Sequence, residues 1–166
     1  MTDDPTDAPP DDSPGRRPDD RFSPSCPFCA IVVGEAPADI VARTDATVAF
    51  LDRRPLFHGH TLLVPREHHE TLTDLPLDQV GPLFAQARRL AEVMTTPSGL
   101  GAAGSFVAIN NTVSQSVPHL HVHVVPRRRK DGLRGFFWPR TTYDGDDHAA
   151  ETAARLAVAL QQLDDD

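Results

Sequence analysis

Three histidines alternate with apolar residues in the segment Gln115-Ser116-Val117-Pro118-His119-Leu120-His121-Val122-His123-Val124-Val125-Pro126. An imidazole can act as a nucleophile, carry a proton near neutral pH or ligate a metal. Alternation at period two predicts a half-buried β-strand, with His119, His121 and His123 on one face and Leu120, Val122 and Val124 directed into a core. A strand rises roughly 3.3 Å per residue, so the outer two histidines stand about 13 Å apart at Cα, too far to share one small ion without strong bending. Three separate jobs fit this spacing better than one shared metal.

A second chemical signal is Cys26-Pro27-Phe28-Cys29, whose spacing suits zinc but supplies only half of a tetrahedral site. The rival reading, a redox pair, expects the motif between a strand and a long helix in a thioredoxin-like βαβ pattern, which this sequence lacks.

The histidine segment resembles the signature of the histidine triad family of nucleotide hydrolases and transferases: His-x-His-x-His followed by apolar residues, with Gln and a small hydroxyl residue just upstream. The resemblance covers roughly residues 26 to 143. It implies that His121 becomes nucleotidylated at an α-phosphate, that His123 binds phosphate oxygens, and that Ser116 and Gln115 donate to the bridging or leaving oxygen. Asp52, at the end of Val48-Ala49-Phe50-Leu51-Asp52, matches the position that holds the ribose hydroxyls, though read without the triad it would merely cap the turn before Arg53-Arg54-Pro55. Asn110 and Asn111 end the preceding strand and either contact the phosphate or leaving group or serve as turn residues. The same resemblance completes the zinc site with His68 and His119 beside Cys26 and Cys29, as structural zinc, and requires no catalytic cofactor. It also implies a homodimer.

The loop departs from the common bacterial pattern. Asn110-Asn111-Thr112-Val113-Ser114 is shorter than usual and has Ser114 where glycine precedes the Gln, which leaves the shape of the phosphate cradle open. Two other readings compete with the hydrolase. One is a nucleotide-binding sensor or adaptor with negligible turnover. The other takes His119 and His121 as ligands of a catalytic metal, but it finds no acidic ligand nearby and gives Gln115 and Ser116 no role.

The elements that must position these groups follow from periodicity. Cys26 to Val33 reads as a short helix capped by Gly34. Asp39 to Arg43, Thr47 to Leu51 and Thr61 to Val64 read as strands with connections short enough for antiparallel neighbours. Between Asp78 and Met94, Val80, Leu83, Phe84, Ala87, Leu90, Ala91 and Met94 follow helical spacing, with Gln86, Arg88, Arg89 and Glu92 on the other side and Pro82 near the first turn. Ser105 to Ile109 and Leu120 to Val125 supply two more strands, and a helix from about Asp147 to Leu163 closes the chain. This order suggests an α+β fold, and the resemblance implies a five-stranded antiparallel sheet with one main helix and short N-terminal and C-terminal helices.

Residues 1 to 24 contain seven Asp and six Pro with one large apolar side chain, Phe22, too little to offset the entropy of ordering, so they read as an acidic disordered tail. Residues 25–145 then form the domain, and 146–166 the last helix with an acidic end. The formal net charge of −8 falls mostly on the two ends. The run Arg127-Arg128-Arg129-Lys130 either holds anionic phosphate near the site or forms a solvated loop. Gly135-Phe136-Phe137-Trp138-Pro139-Arg140 either walls a ligand pocket or packs on the sheet. No apolar run suits a secretion signal or a membrane span, so a cytoplasmic protein is expected, with a nucleotide and a second copy of the chain as partners rather than nucleic acid or membrane.

Overall fold

The structure, a computed structural model, describes residues 22–133 and 141–164. Most of the acidic N-terminal tail and the aromatic segment around Trp138 lie outside the described residues. The chain divides into two units, one ending at Asp131 and the other starting at Gly132.

In the first unit, α1 (Pro27–Val33) starts at Cys26, whose Sγ accepts from the Cys29 amide, and Pro27 fills the first turn, where its missing N–H costs nothing. Gly34 ends it at φ 87°, a left-handed cap whose N–H returns to the Ile31 carbonyl. Arg43 anchors the helix end to the first strand, donating from its guanidinium to the Val32 carbonyl at 2.9 Å.

The strands are β1 (Ile40–Arg43), β2 (Thr47–Leu51), β3 (Thr61–Pro65), β4 (Gly104–Ile109) and β5 (Val122–Arg127), in the spatial order β1-β2-β3-β5-β4 with every neighbour antiparallel. The expected α+β fold with a five-stranded antiparallel sheet is what the chain adopts. The histidine strand β5 lies inside the sheet, with His123 facing Leu62 of β3 and Ala108 of β4.

Two cores cover the two faces of the sheet. Ala49, Leu63, Leu120, Val122 and Val124 pack with Leu83, Ala87, Leu90 and Met94 of α2 (Leu77–Thr95). On the other face Val48, Phe50, Leu62 and Val64 pack with Cys26, Phe28, Cys29 and Val32. The central strands are therefore buried on both sides, which corrects the half-buried reading of the histidine strand: His119 and His121 are buried too. The alternation itself holds, since Leu120, Val122 and Val124 all join the α2 core.

Two details of the helix and strand boundaries differ from expectation. β5 begins at Val122 rather than Leu120, because the Leu120 amide donates to the His69 carbonyl at 2.6 Å instead of joining the ladder. Pro82 lies in the second turn of α2, and the buried stripe is rotated so that Gln86 is inside while Phe84 is 42% exposed. The stripe centres on Leu83, Ala87, Leu90 and Met94, and Phe84 falls about 100° round the helix from Leu83. A 3-10 turn at Leu72–Asp74, not foreseen, leads into α2.

The second unit contains α3 (Asp146–Asp164), whose span agrees with the expected last helix. Among its described side chains Leu156, Val158 and Leu163 are exposed. No helix among the described residues is long and apolar enough to cross a membrane.

Candidate functional site

The start of α1 brings the two cysteines against two histidines. Cys26 Sγ lies 3.4 Å and Cys29 Sγ 3.6 Å from His119 Nδ1, and Cys29 Sγ lies 3.3 Å from His68 Nδ1. All four ligand atoms fall within 4.8 Å of one another. With metal–sulfur bonds of about 2.3 Å and metal–nitrogen bonds of about 2.0 Å, the sulfur–nitrogen edge of a tetrahedron is roughly 3.5 Å, so this donor set fits a tetrahedral ion.

His119 is oriented for that role by its other nitrogen. Nε2 lies 3.1 Å from the Pro65 carbonyl, and a carbonyl only accepts, so the proton of the neutral ring sits on Nε2 and the lone pair of Nδ1 faces the sulfurs. Burial holds the His119 pKa down to about 4, which keeps the ring neutral, and pushes the Cys29 thiol up to about 11. A nearby cation would reverse the second effect by favouring thiolate.

Two residues on, the same backbone does something different with His121. Its Nδ1 is 2.6 Å from the His119 carbonyl, so Nδ1 carries the hydrogen and the lone pair belongs to Nε2. Phe28 and His123 pack edge-to-face with the ring at centroid distances of 5.3 and 4.9 Å. His119 and His121 thus turn their acceptor nitrogens to different surroundings, which removes the reading in which the pair chelates one catalytic metal.

His121 and His123 line a cavity of about 250 Å³ together with Asp52, Ser116, Arg53 and Arg54. Its other wall is apolar and includes Phe28, Ile31, Phe50 and Leu62. An apolar slot beside a few convergent polar groups is the usual build of a small-molecule site.

Of the residues singled out from sequence, Asp52, Ser116, His121 and His123 meet at this cavity, and Cys26, Cys29, His68 and His119 meet at the cysteine cluster. Asn110, Asn111 and Gln115 do not line the cavity. Gln115 accepts from the Thr112 amide at 2.7 Å and donates to the Glu70 carbonyl at 2.6 Å, and Asn111 accepts from the Leu72 amide at 2.8 Å. Both side chains fasten the loop that carries Ser116. Thr112 and Ser114 in that loop have φ of 64° and 63°, left-handed conformations that cost non-glycine residues about 1–2 kcal/mol each.

Sequence reasoning missed His60. Its Nε2 lies 3.0 Å from His123 Nδ1, and its Nδ1 lies 3.5 Å from Asp52 Oδ2. A signal was present in His58-Gly59-His60, just before β3. Gly59 at φ 98° makes the turn, and its carbonyl accepts from Thr61 Oγ1.

The basic run sits away from the cavity. Arg127 is four residues beyond His123 along β5, roughly 13 Å, and forms a two-pronged ion pair with Asp131 at 2.6 and 2.9 Å. Arg128 donates to the Leu100 carbonyl. These two arginines brace the end of the sheet.

A five-stranded antiparallel sheet carrying a histidine triad against an apolar cavity is the architecture of the histidine triad proteins. The chain belongs to the HIT family, whose HIT domain profile matches residues 33–130. It is 36% identical over 138 residues to an uncharacterized HIT-like protein of Mycobacterium tuberculosis, covering 82% of this chain and 94% of that protein. It is 32% identical over 129 residues to the adenosine 5′-monophosphoramidase of Candida albicans, covering 74% of this chain and 83% of that protein. The crystal structure of a Zn-bound histidine triad family protein from Mycobacterium smegmatis superposes with a TM-score of 0.63 at 40% identity, over 85% of this chain and 96% of that chain.

Proposed function

We propose that this chain is a nucleotide hydrolase or nucleotidyltransferase that cleaves nucleoside phosphoramidates or dinucleoside polyphosphates at the α-phosphate through a nucleotidyl-His121 intermediate. The observation that carries this reading is the 2.6 Å hydrogen bond from His121 Nδ1 to the His119 carbonyl, which leaves Nε2 as the nucleophilic atom of a ring lining the cavity. The monophosphoramidase activity of the Candida albicans relative supports it.

In the first step the Nε2 lone pair attacks the α-phosphorus, the bond from phosphorus to the leaving group breaks, and the leaving amine or phosphate takes up a proton from solvent. In the second, the oxygen of water or another acceptor attacks phosphorus, the phosphorus–Nε2 bond breaks and returns its electron pair to His121, and the acceptor's proton goes to solvent. Phosphoryl-type transfer depends mainly on positioning and on neutralising oxygens. Ser116 and His123 donate to those oxygens, Asp52 accepts from the ribose hydroxyls, and the base enters the apolar part of the cavity lined by Phe28, Ile31, Phe50 and Leu62. Gln115, Asn110 and Asn111 belong to the segment that shapes the phosphate side, Gln115 and Asn111 by fixing the Ser116 loop.

Cys26, Cys29, His68 and His119 hold zinc in this proposal, and the ion, closed by four protein ligands, ties α1 to the histidine segment and takes no part in transfer. The protein acts as a homodimer. β4 lies at one edge of the sheet with Val107 exposed, which suits such a contact.

The test is intact-protein mass spectrometry after rapid quench with an adenosine phosphoramidate, comparing the wild type with His121→Ala and His121→Gly. An adenylyl adduct in the wild type alone is the expected result. Tight nucleotide binding with neither adduct nor turnover would replace the enzyme by a nucleotide sensor.

A further inference from the structure

His60 connects Asp52, the one carboxylate among the described residues lining the cavity, to His123. Three groups meet around its ring. The Leu56 amide lies 3.3 Å from Nδ1, Asp52 Oδ2 lies 3.5 Å from the same nitrogen, and His123 Nδ1 lies 3.0 Å from Nε2. A backbone N–H only donates and a carboxylate only accepts, so Leu56 and Asp52 make opposite demands on Nδ1.

Burial lowers the pKa of His60, and that of His123 to about 4, so each ring carries one proton at neutral pH. One choice then fixes the other. With His60 Nδ1 bare, its Nε2–H donates to His123 Nδ1, and His123 carries its own proton on Nε2, the nitrogen left for the cavity. With His60 Nδ1 protonated toward Asp52, His123 gives its Nδ1–H to His60 and presents a lone pair to the cavity. The first arrangement offers a donor to a phosphate oxygen, and the second repels it.

Asp52 has one oxygen to spend on this choice. Oδ1 is held by the Arg54 amide at 2.8 Å, so Oδ2 is the atom that a sugar hydroxyl and His60 would share. We propose that His60 is a positioning residue coupling sugar recognition to phosphate recognition: a diol bound to Asp52 occupies the acceptor for His60 and so selects the His123 tautomer that donates to phosphate. The inference rests on the reading of the cavity as a nucleotide site. It makes the ribose matter to the rate of transfer as well as to binding.

The test compares an adenosine phosphoramidate with its 2′-deoxy counterpart in the wild type, His60→Gln and His60→Ala. Glutamine places an amide donor near the position of His60 Nε2 without offering a ring nitrogen to Asp52, and it guards against a mere packing effect of alanine. The wild type should lose kcat on the 2′-deoxy substrate by roughly five- to tenfold, about one hydrogen bond's worth, in addition to any rise in KM. His60→Gln should keep most of the ribo kcat and show no kcat difference between the two sugars. His60→Ala should lower kcat for both. Long-range ¹H–¹⁵N correlation spectra should show His123 protonated at Nε2 when adenosine monophosphate is added, and less so with the 2′-deoxy form.

An unchanged kcat ratio between the two sugars in His60→Gln, or a His123 tautomer indifferent to nucleotide, overturns the inference while an adduct-forming wild type keeps the enzyme reading. A wild type that forms no adduct overturns both.

Discussion

His119 and His121 stand two residues apart, both buried, both on the α1 side of the sheet, yet they are set up for different chemistry. His119 donates from Nε2 to the Pro65 carbonyl and turns Nδ1 to Cys26 and Cys29. His121 donates from Nδ1 to the His119 carbonyl and keeps Nε2 for the cavity. A neutral imidazole has one donor and one acceptor, so whichever carbonyl takes the donor decides where the acceptor points. The difference between a candidate metal ligand and a candidate nucleophile is here a matter of which backbone oxygen lies within reach.

The sharpest way to break this comparison is to remove the two acceptors separately. His121→Ala should lower kcat by roughly 10³-fold or more, as loss of a nucleophile does, with a smaller fall in the thermal midpoint than His119→Ala. Quench kinetics and a melting curve on the same preparation check this. A fall of less than tenfold would take the nucleophile role from His121.

His119→Ala or Cys29→Ser should do the reverse. Breaking a closed metal site costs several kcal/mol of stability, so a strong chelator or either substitution should lower the melting midpoint markedly, while the fraction that remains folded still forms adduct. Metal content by elemental analysis, measured beside the melting curve, decides whether about one zinc per chain is lost. An intact midpoint without zinc would reduce the cluster to a packing contact.

Acid should sharpen the comparison through His123. Its folded pKa, held by burial at about 4, lies below the ordinary value of 6.5, so between these two values the unfolded chain binds more protons than the folded one. Stability therefore rises with pH across that window and is lost as pH falls from about 6.5 toward about 4. Melting midpoints measured over this range should fall with acidification, and less steeply in His123→Gln. Parallel slopes in the two proteins would count against it.

The smallest effect is expected far from both histidines. Arg129→Ala and Lys130→Ala alter exposed side chains at the end of β5, and each should change kcat/KM by less than about twofold, within the range of ordinary surface substitutions. A tenfold loss would bring the basic run back to the phosphate side.

Much of the fold was legible because its signals are local. Pro27 and Gly34 bracket α1, short apolar segments mark Thr47 to Leu51 and Thr61 to Val64, and the spacing of Leu83, Ala87, Leu90 and Met94 marks α2. Burial was less legible, since period two cannot tell a strand covered on one face from one covered on both. Phe84 and Gln86 show the same limit on a helix, where the packed face depends on how α2 lies against the sheet.

The sequence alone determined the chemistry available: three imidazoles on one face, a Cys-x-x-Cys, and a carboxylate at the end of a strand. Those are covalent facts with short-range consequences. Only the tertiary structure decided their assignment, because most of the partners lie far away along the chain, the His119 carbonyl beside His121 being the local exception. His119 meets Cys26 across 93 residues, His123 meets His60 across 63, and Gln115 reaches Glu70 across 45. The ring nitrogens of His119 and His123 take their roles from neighbours that the sheet and α1 bring to them, and a contact at such separations is invisible until the backbone has closed the distance.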